Sequence, residues 1–147
     1  MKNPNINAKD YYGNTALHHA VENNDFDIVE TLVKGVLNVN LTKEAADVNV
    51  QNEFGHTPLY IATACGNTKI AKFLLENNAD VNNQDNCDGA TPLHLAASGN
   101  HSNAALWLIK YKADVNLKDC RGETPLDWAE QGVIKLLKDA GATRKKD

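Results

Sequence analysis

The sequence predicts an all-α solenoid, in which short helix-turn-helix units stack side by side and are joined by β-hairpin-like loops. Three observations predict it. The chain is self-similar at a nearly constant interval: Gly13-Asn14-Thr15-Ala16-Leu17-His18, Gly55-His56-Thr57-Pro58-Leu59-Tyr60, Gly89-Ala90-Thr91-Pro92-Leu93-His94 and Gly122-Glu123-Thr124-Pro125-Leu126-Asp127 align, and their threonines follow one another at 42, 34 and 33 residues. A second anchor keeps the same phase: Asp47-Val48-Asn49, Asp80-Val81-Asn82 and Asp114-Val115-Asn116. Between the anchors, apolar residues fall at helical spacing: Ile28, Val29 and Leu32, then Ile70, Phe73, Leu74 and Leu75, then Leu106, Trp107, Leu108 and Ile109. One helix pair cannot bury such a stripe alone, so the units must share one continuous core.

The elements follow in chain order. Residues 1–9 read as a hairpin remnant, because Asn5-Ile6-Asn7-Ala8-Lys9 looks like the tail of a missing preceding unit. Residues 10–51 form the first repeat, 52–85 the second, 86–118 the third and 119–142 a shortened C-terminal capping repeat, with 143–147 as a frayed tail. Each unit opens on a glycine, where a tight turn asks for positive φ. Threonine then caps a first helix, and proline suits its first position because the donor it lacks would be unpaired anyway. In the third unit that helix carries Leu93, Leu95, Ala96 and Ala97, and the small alanines let neighbouring helices approach.

The first repeat holds about nine extra residues near positions 35–46, within Lys34 to Ala46. They either extend its second helix or form a long loop, and the alternation of Val39 and Leu41 with polar residues predicts that part of the segment lies extended. The fourth repeat is short, which predicts a first helix reduced by about one turn. Lys138 stands where Leu75 and Ile109 stand earlier, as a solvent-facing end unit requires.

Composition limits the function. The chain has 147 residues, enough for a single domain, with 42% hydrophobic and 23% charged residues, as in an ordinary globular chain. Fifteen basic against nineteen acidic residues give a net charge of −4, which argues against nucleic acid or an anionic membrane surface as the partner. No apolar run reaches the roughly 18 residues of a membrane span, and Met1 to Asn5 has no apolar signal core. Three cysteines make no disulfide framework. The expectation is a cytoplasmic monomer without cofactor or metal.

The two anchors and their period of about 33 residues resemble the ankyrin repeat, with its T-P-L-H signature, from about Asn5 to Ala142. The resemblance implies four repeats whose hairpin tips and first helices line a concave groove that binds a protein partner. Carried over position by position, that groove is expected to include Tyr11, Tyr12, Asn14, Glu22 and Asn23; Glu53, Phe54, His56, Ala64 and Cys65; Cys87, Asp88, Ala90, Ser98 and Gly99; and Cys120, Arg121 and Glu123. Tyr12, Phe54 and Arg121 are the expected anchors, because aromatic and arginine side chains dominate interface hot spots. Trp107 and Trp128 fall on columns held elsewhere by Phe73 and by Ile61 or Leu95, and read as core. The family also implies Asn49, Asn82 and Asn116 as possible hydroxylation acceptors.

No phosphate loop, nucleophile elbow or H-E-x-x-H helix is present, and the reading is non-enzymatic. His18 and His94 read as structural histidines hydrogen-bonding between repeats. Tyr60 and Asp127 replace them in the other two copies, so a catalytic or metal role would be broken there. His101 falls near a helix-helix turn that the family often fills with histidine; His19 and His56 are assigned no chemistry. Cys87 and Cys120, each two residues before a glycine, read as one tip position, with Cys65 on the same surface. Thiols there could bind metal or sense oxidation. Repeats about 10 Å apart hold them too far for a disulfide, and the spacing matches no ligand pattern. Two narrower roles remain open: inhibitor or adaptor of one enzyme, or microbial effector engaging host proteins.

Overall fold

The computed structural model describes residues 5–37 and 43–147. Eight helices lie among them: α1 Ala16–Glu22, α2 Phe26–Lys34, α3 Pro58–Ala64, α4 Thr68–Glu76, α5 Pro92–Ser98, α6 Ser102–Lys110, α7 Pro125–Trp128 and α8 Gln131–Asp139. They form two rows. The inner helices α1, α3, α5 and α7 pack in sequence, the outer helices α2, α4, α6 and α8 do the same, and each inner helix packs on the outer helix that follows it. The core lies between the rows. Leu17, Leu59, Leu93 and Leu126 from the inner helices and Leu74, Leu108 and Leu137 from the outer ones are sealed from solvent. Each such side chain stabilises the fold by roughly 1.5–3 kcal/mol relative to its exposed state. Ala62, Ala96, Ala97, Ala104 and Ala105 are also fully buried, the small residues that permit close helix approach.

Local chemistry places the helix starts. Thr57 Oγ1 accepts from Tyr60 N at 3.2 Å and Thr91 Oγ1 from His94 N at 3.3 Å. Pro58, Pro92 and Pro125 take the first helical positions. Gly13, Gly55, Gly89 and Gly122 have φ of 76°, 76°, 69° and 78°. Three of them meet a second constraint: a Cβ on Gly13 would lie 2.8 Å from Glu53 N, one on Gly55 2.8 Å from Asn86 N, and one on Gly89 2.9 Å from Cys120 Sγ.

The extra residues of the first repeat do not lengthen α2, which stops at Lys34 before Gly35 at φ 87°. The backbone then forms two short strands, β1 Val36–Leu37 and β2 Lys43–Glu44, paired antiparallel with Val36 opposite Glu44. Val39 and Leu41 lie outside the described residues. Helix α7 has four residues where the other inner helices have seven. Lys138 is exposed, whereas Leu75 is buried.

Two residues assigned to the apolar stripe are not in the core. Ile28 is 50% exposed and Leu106 52%. Ile28 is the third residue of its outer helix, like Ile70, Ala104 and Val133, which are fully buried. Those three have an earlier helix pair to pack on; Ile28, among the described residues, has none. Leu106 is the fifth residue of α6, a place held by Glu30, Lys72 and Lys135 in the sister helices, and it faces solvent as they do. Trp107 and Trp128 are half-buried at the edge of the core and not inside it.

Candidate functional site

The tips are built by a column of side chains that the sequence reading did not single out. Asp10 Oδ1 accepts from Tyr12 N at 3.0 Å and Asn14 N at 2.9 Å; Asn52 Oδ1 accepts from Phe54 N and His56 N, both at 3.0 Å; Asp119 Oδ1 accepts from Arg121 N at 2.9 Å and Glu123 N at 2.8 Å. Asp85 does the same for Asp88, Gly89 and Ala90. Each carboxylate or amide oxygen folds the chain back over itself as an Asx turn. The available signal was an Asp or Asn three or four residues before each glycine.

Backbone bonds then zip the tips together. Glu53 N donates to Tyr12 O at 2.9 Å, Asn86 N to Phe54 O at 2.9 Å, and Cys120 N to Asp88 O at 2.8 Å. This register corrects the cysteine alignment: Cys120 matches Asn86, Glu53 and Tyr11, while Cys87 is the extra residue of a longer third turn. Cys65, Cys87 and Cys120 are all exposed. Among the described residues no three His, Cys, Asp or Glu side chains gather as a metal site.

The expected anchors stand in three patches. Tyr11 and Tyr12, 89% and 56% exposed, meet edge to face with ring centres 5.2 Å apart. Phe54, 44% exposed, lies 5.7 Å from His56, whose ring stacks on Tyr60 at 4.2 Å. Tyr60 Oη donates to Asp85 Oδ2 at 2.6 Å, and His56 Nε2 lies 3.7 Å from the same oxygen. Burial and the adjacent Asp85 push the Tyr60 phenol up, and burial lowers His56 despite the pull of Asp85. Burial works against the Asp85 carboxylate, yet the Tyr60 hydroxyl and the turn amides hold it below the usual range. Arg121 pairs with Glu123 at 3.4 Å and lies 5.9 Å above the Trp128 ring, whose Nε1 donates to Asp119 Oδ2 at 3.0 Å.

Some assigned residues serve the frame. Asn14 Oδ1 accepts from Asn52 Nδ2 at 2.9 Å, tying the first tip to the second. Ala90 is buried and offers no surface. His18 and His94 bridge repeats as structural histidines, their Nε2 atoms 2.9 Å from His56 O and 3.0 Å from Glu123 O. His101 closes the helix-helix turn, its ring 2.7 Å from where a Cβ on Gly66 would lie. Three residues before each Asx-turn residue runs an asparagine ladder: Asn7, Asn49, Asn82 and Asn116 Oδ1 accept from Asp47, Asp80, Asp114 and Thr143 N at 2.7–2.8 Å.

The paired helices, capped threonines and zipped tips define a helical repeat solenoid with a continuous tip face. The family model described as ankyrin repeats (3 copies) matches residues 36–119 and 83–146, and that described as ankyrin repeats (many copies) matches residues 2–33. The chain belongs to the ankyrin repeat family. It is similar to an ankyrin repeat protein of Rickettsia bellii, 33% identical over 73 residues covering 50% of this chain and 38% of that one. An ankyrin repeat protein of Variola virus is 32% identical over 81 residues, 55% of this chain and 13% of its own. A human ankyrin repeat and fibronectin type-III domain-containing protein is 39% identical over 69 residues, 47% of this chain and 6% of its own. The matched stretch thus spans well under half the length of each of these relatives. Ankyrin repeats are in general an interaction fold, and protein partners are typical of them. No helix among the described residues is long and apolar enough to cross a membrane.

Proposed function

We propose that this chain is a non-enzymatic binding module that holds a protein partner against its hairpin tips and inner helices. The observation that carries the reading is the exposure of Tyr11, Tyr12 and Phe54 on tips whose backbone is held by Asx turns and by bonds between repeats. Those rings have no packing duty, and fixed loops present them at little entropic cost. Arg121 serves as the third anchor at the far end, with Glu53, Asp88 and Glu123 giving the face its acidic rim. Cys65, Cys87 and Cys120 line it without a redox or metal role.

Affinity capture from lysate, comparing wild type with a Tyr12→Ala, Phe54→Ala double variant, tests the proposal. Recovery of a stoichiometric partner by wild type alone supports it; equal recovery by both moves the site elsewhere. Relatives in Rickettsia bellii and Variola virus favour a second reading, an effector whose partner belongs to another organism. Capture from a foreign lysate but not from the native one would distinguish it. An inhibitor or adaptor role requires that the recovered partner be a single enzyme.

A further inference from the structure

Helix α6 departs from its sister outer helices in a way the tip face does not absorb. Its fifth residue is Leu106, half-exposed, where α2, α4 and α8 place Glu30, Lys72 and Lys135. Leu106, Trp107, Ile109 and Lys110 line an open groove of about 430 Å³ on that side. Isolated exposed apolar residues are ordinary, whereas a contiguous patch with a tryptophan marks a contact surface.

The charges around it are mostly positive. Helices α4, α6 and α8 carry Lys69, Lys72, Lys110, Lys135 and Lys138 against only Glu76 and Asp139. Both acids are already engaged, Glu76 with Lys72 at 3.6 Å and Asp139 with Lys135 at 2.7 Å. Lys72 and Lys110 each hold their ammonium 4.6 Å from the centre of the Trp107 ring. The apolar groove is therefore flanked by cations, in a chain whose net charge is −4.

We propose that this groove on α6 is a second docking surface, separate from the tip face, and that its occupant is an acidic amphipathic helix of a partner protein. The apolar side of such a helix, repeating at three and four residues, lies on Leu106, Trp107 and Ile109, and its flanking carboxylates meet Lys72 and Lys110. Both ammonium groups already stand over the tryptophan ring, and Lys72 exchanges its exposed partner Glu76 for the incoming carboxylate at little cost. The attraction is electrostatic at its rim and weakens with salt.

The test uses three probes: a synthetic amphipathic peptide with leucines at helical spacing flanked by glutamates, its counterpart with lysine at each glutamate, and phosphatidylserine vesicles. Backbone amide shifts of the whole chain are followed by NMR. The expected result is saturable binding of the acidic peptide, with shifts centred on residues 106–110 and on Lys72, weakened as salt is added. Leu106→Lys, which restores the residue type of the sister helices and so preserves folding, should weaken it at least tenfold. The Tyr12→Ala, Phe54→Ala variant should bind as wild type does. No saturable binding of the acidic peptide, equal binding of the lysine peptide, shifts centred on the tips, or binding to vesicles alone would each overturn the proposal.

Discussion

His18 and His94 are neutral in the folded chain, and the atoms around them say why. The backbone N–H groups of Thr15 and Thr91 can only donate, and each lies 3.1 Å from its histidine Nδ1. Nδ1 must therefore accept, leaving the proton on Nε2 to donate to the carbonyl of the next repeat. Burial holds both rings below the ordinary histidine value and outweighs the opposing pull of those carbonyls. With the folded value below the unfolded one of about 6.5, the unfolded chain binds more protons in acid. This stability is complete above about pH 6.5 and is lost as the pH falls. Asp85, Asp119 and Asp127, held below the usual carboxylate range by hydrogen bonds that overcome burial, add a second loss at lower pH. A series of melting curves should be flat between about pH 7 and 9 and fall as the pH drops below about 6.5. His18→Gln with His94→Gln should make that first fall shallower and leave the carboxylate-linked one in place. The histidine bridge was legible in the sequence because the column repeats. The Asx column Asp10, Asn52, Asp85 and Asp119 was not, because the third turn is one residue longer and shifts it against the glycines.

At the scale of the helix, one column separates packing from propensity. Ile70 and Ile28 hold the same place in α4 and α2, yet one is sealed and the other half-exposed. Ile70→Ala should therefore cost about 2–5 kcal/mol, by lost transfer energy and the cavity left behind. Ile28→Ala should cost less than about 1 kcal/mol, and chemical denaturation of both variants measures the contrast. The sequence carried the helices and their order, since threonine-proline starts and apolar spacing are local signals. It could not place Ile28, because periodicity gives a residue's face and not whether a neighbour covers that face; Leu106 lies in a continuous apolar run to Ile109 in which periodicity selects no face. The insertion was ambiguous for a related reason. Gly35 at φ 87° ends α2 and sets up β1 and β2, and nothing in the apolar pattern distinguishes that from one more helical turn.

Across the whole molecule, frame and recognition occupy different atoms. Bonds that cross repeats run through His18, Tyr60, His94, the asparagine ladder and the backbone of the tips, while the rings of Tyr11, Tyr12 and Phe54 project beyond them. Tyr12→Ala with Phe54→Ala should thus leave the melting midpoint within about 2 °C, as expected of surface substitutions. A large loss of stability would place the rings in the frame instead. The family was fully legible in four in-phase copies; the partner was not, because exposed tip residues answer to a surface outside this chain. The most direct test uses the native thiols as reporters. With a captured partner bound, alkylation of Cys87 and Cys120 should slow at least tenfold, read by mass spectrometry, while acetylation of Lys135 and Lys138 on the outer row proceeds unchanged. Unchanged thiol alkylation together with protected outer lysines would contradict the tip face as the site of binding.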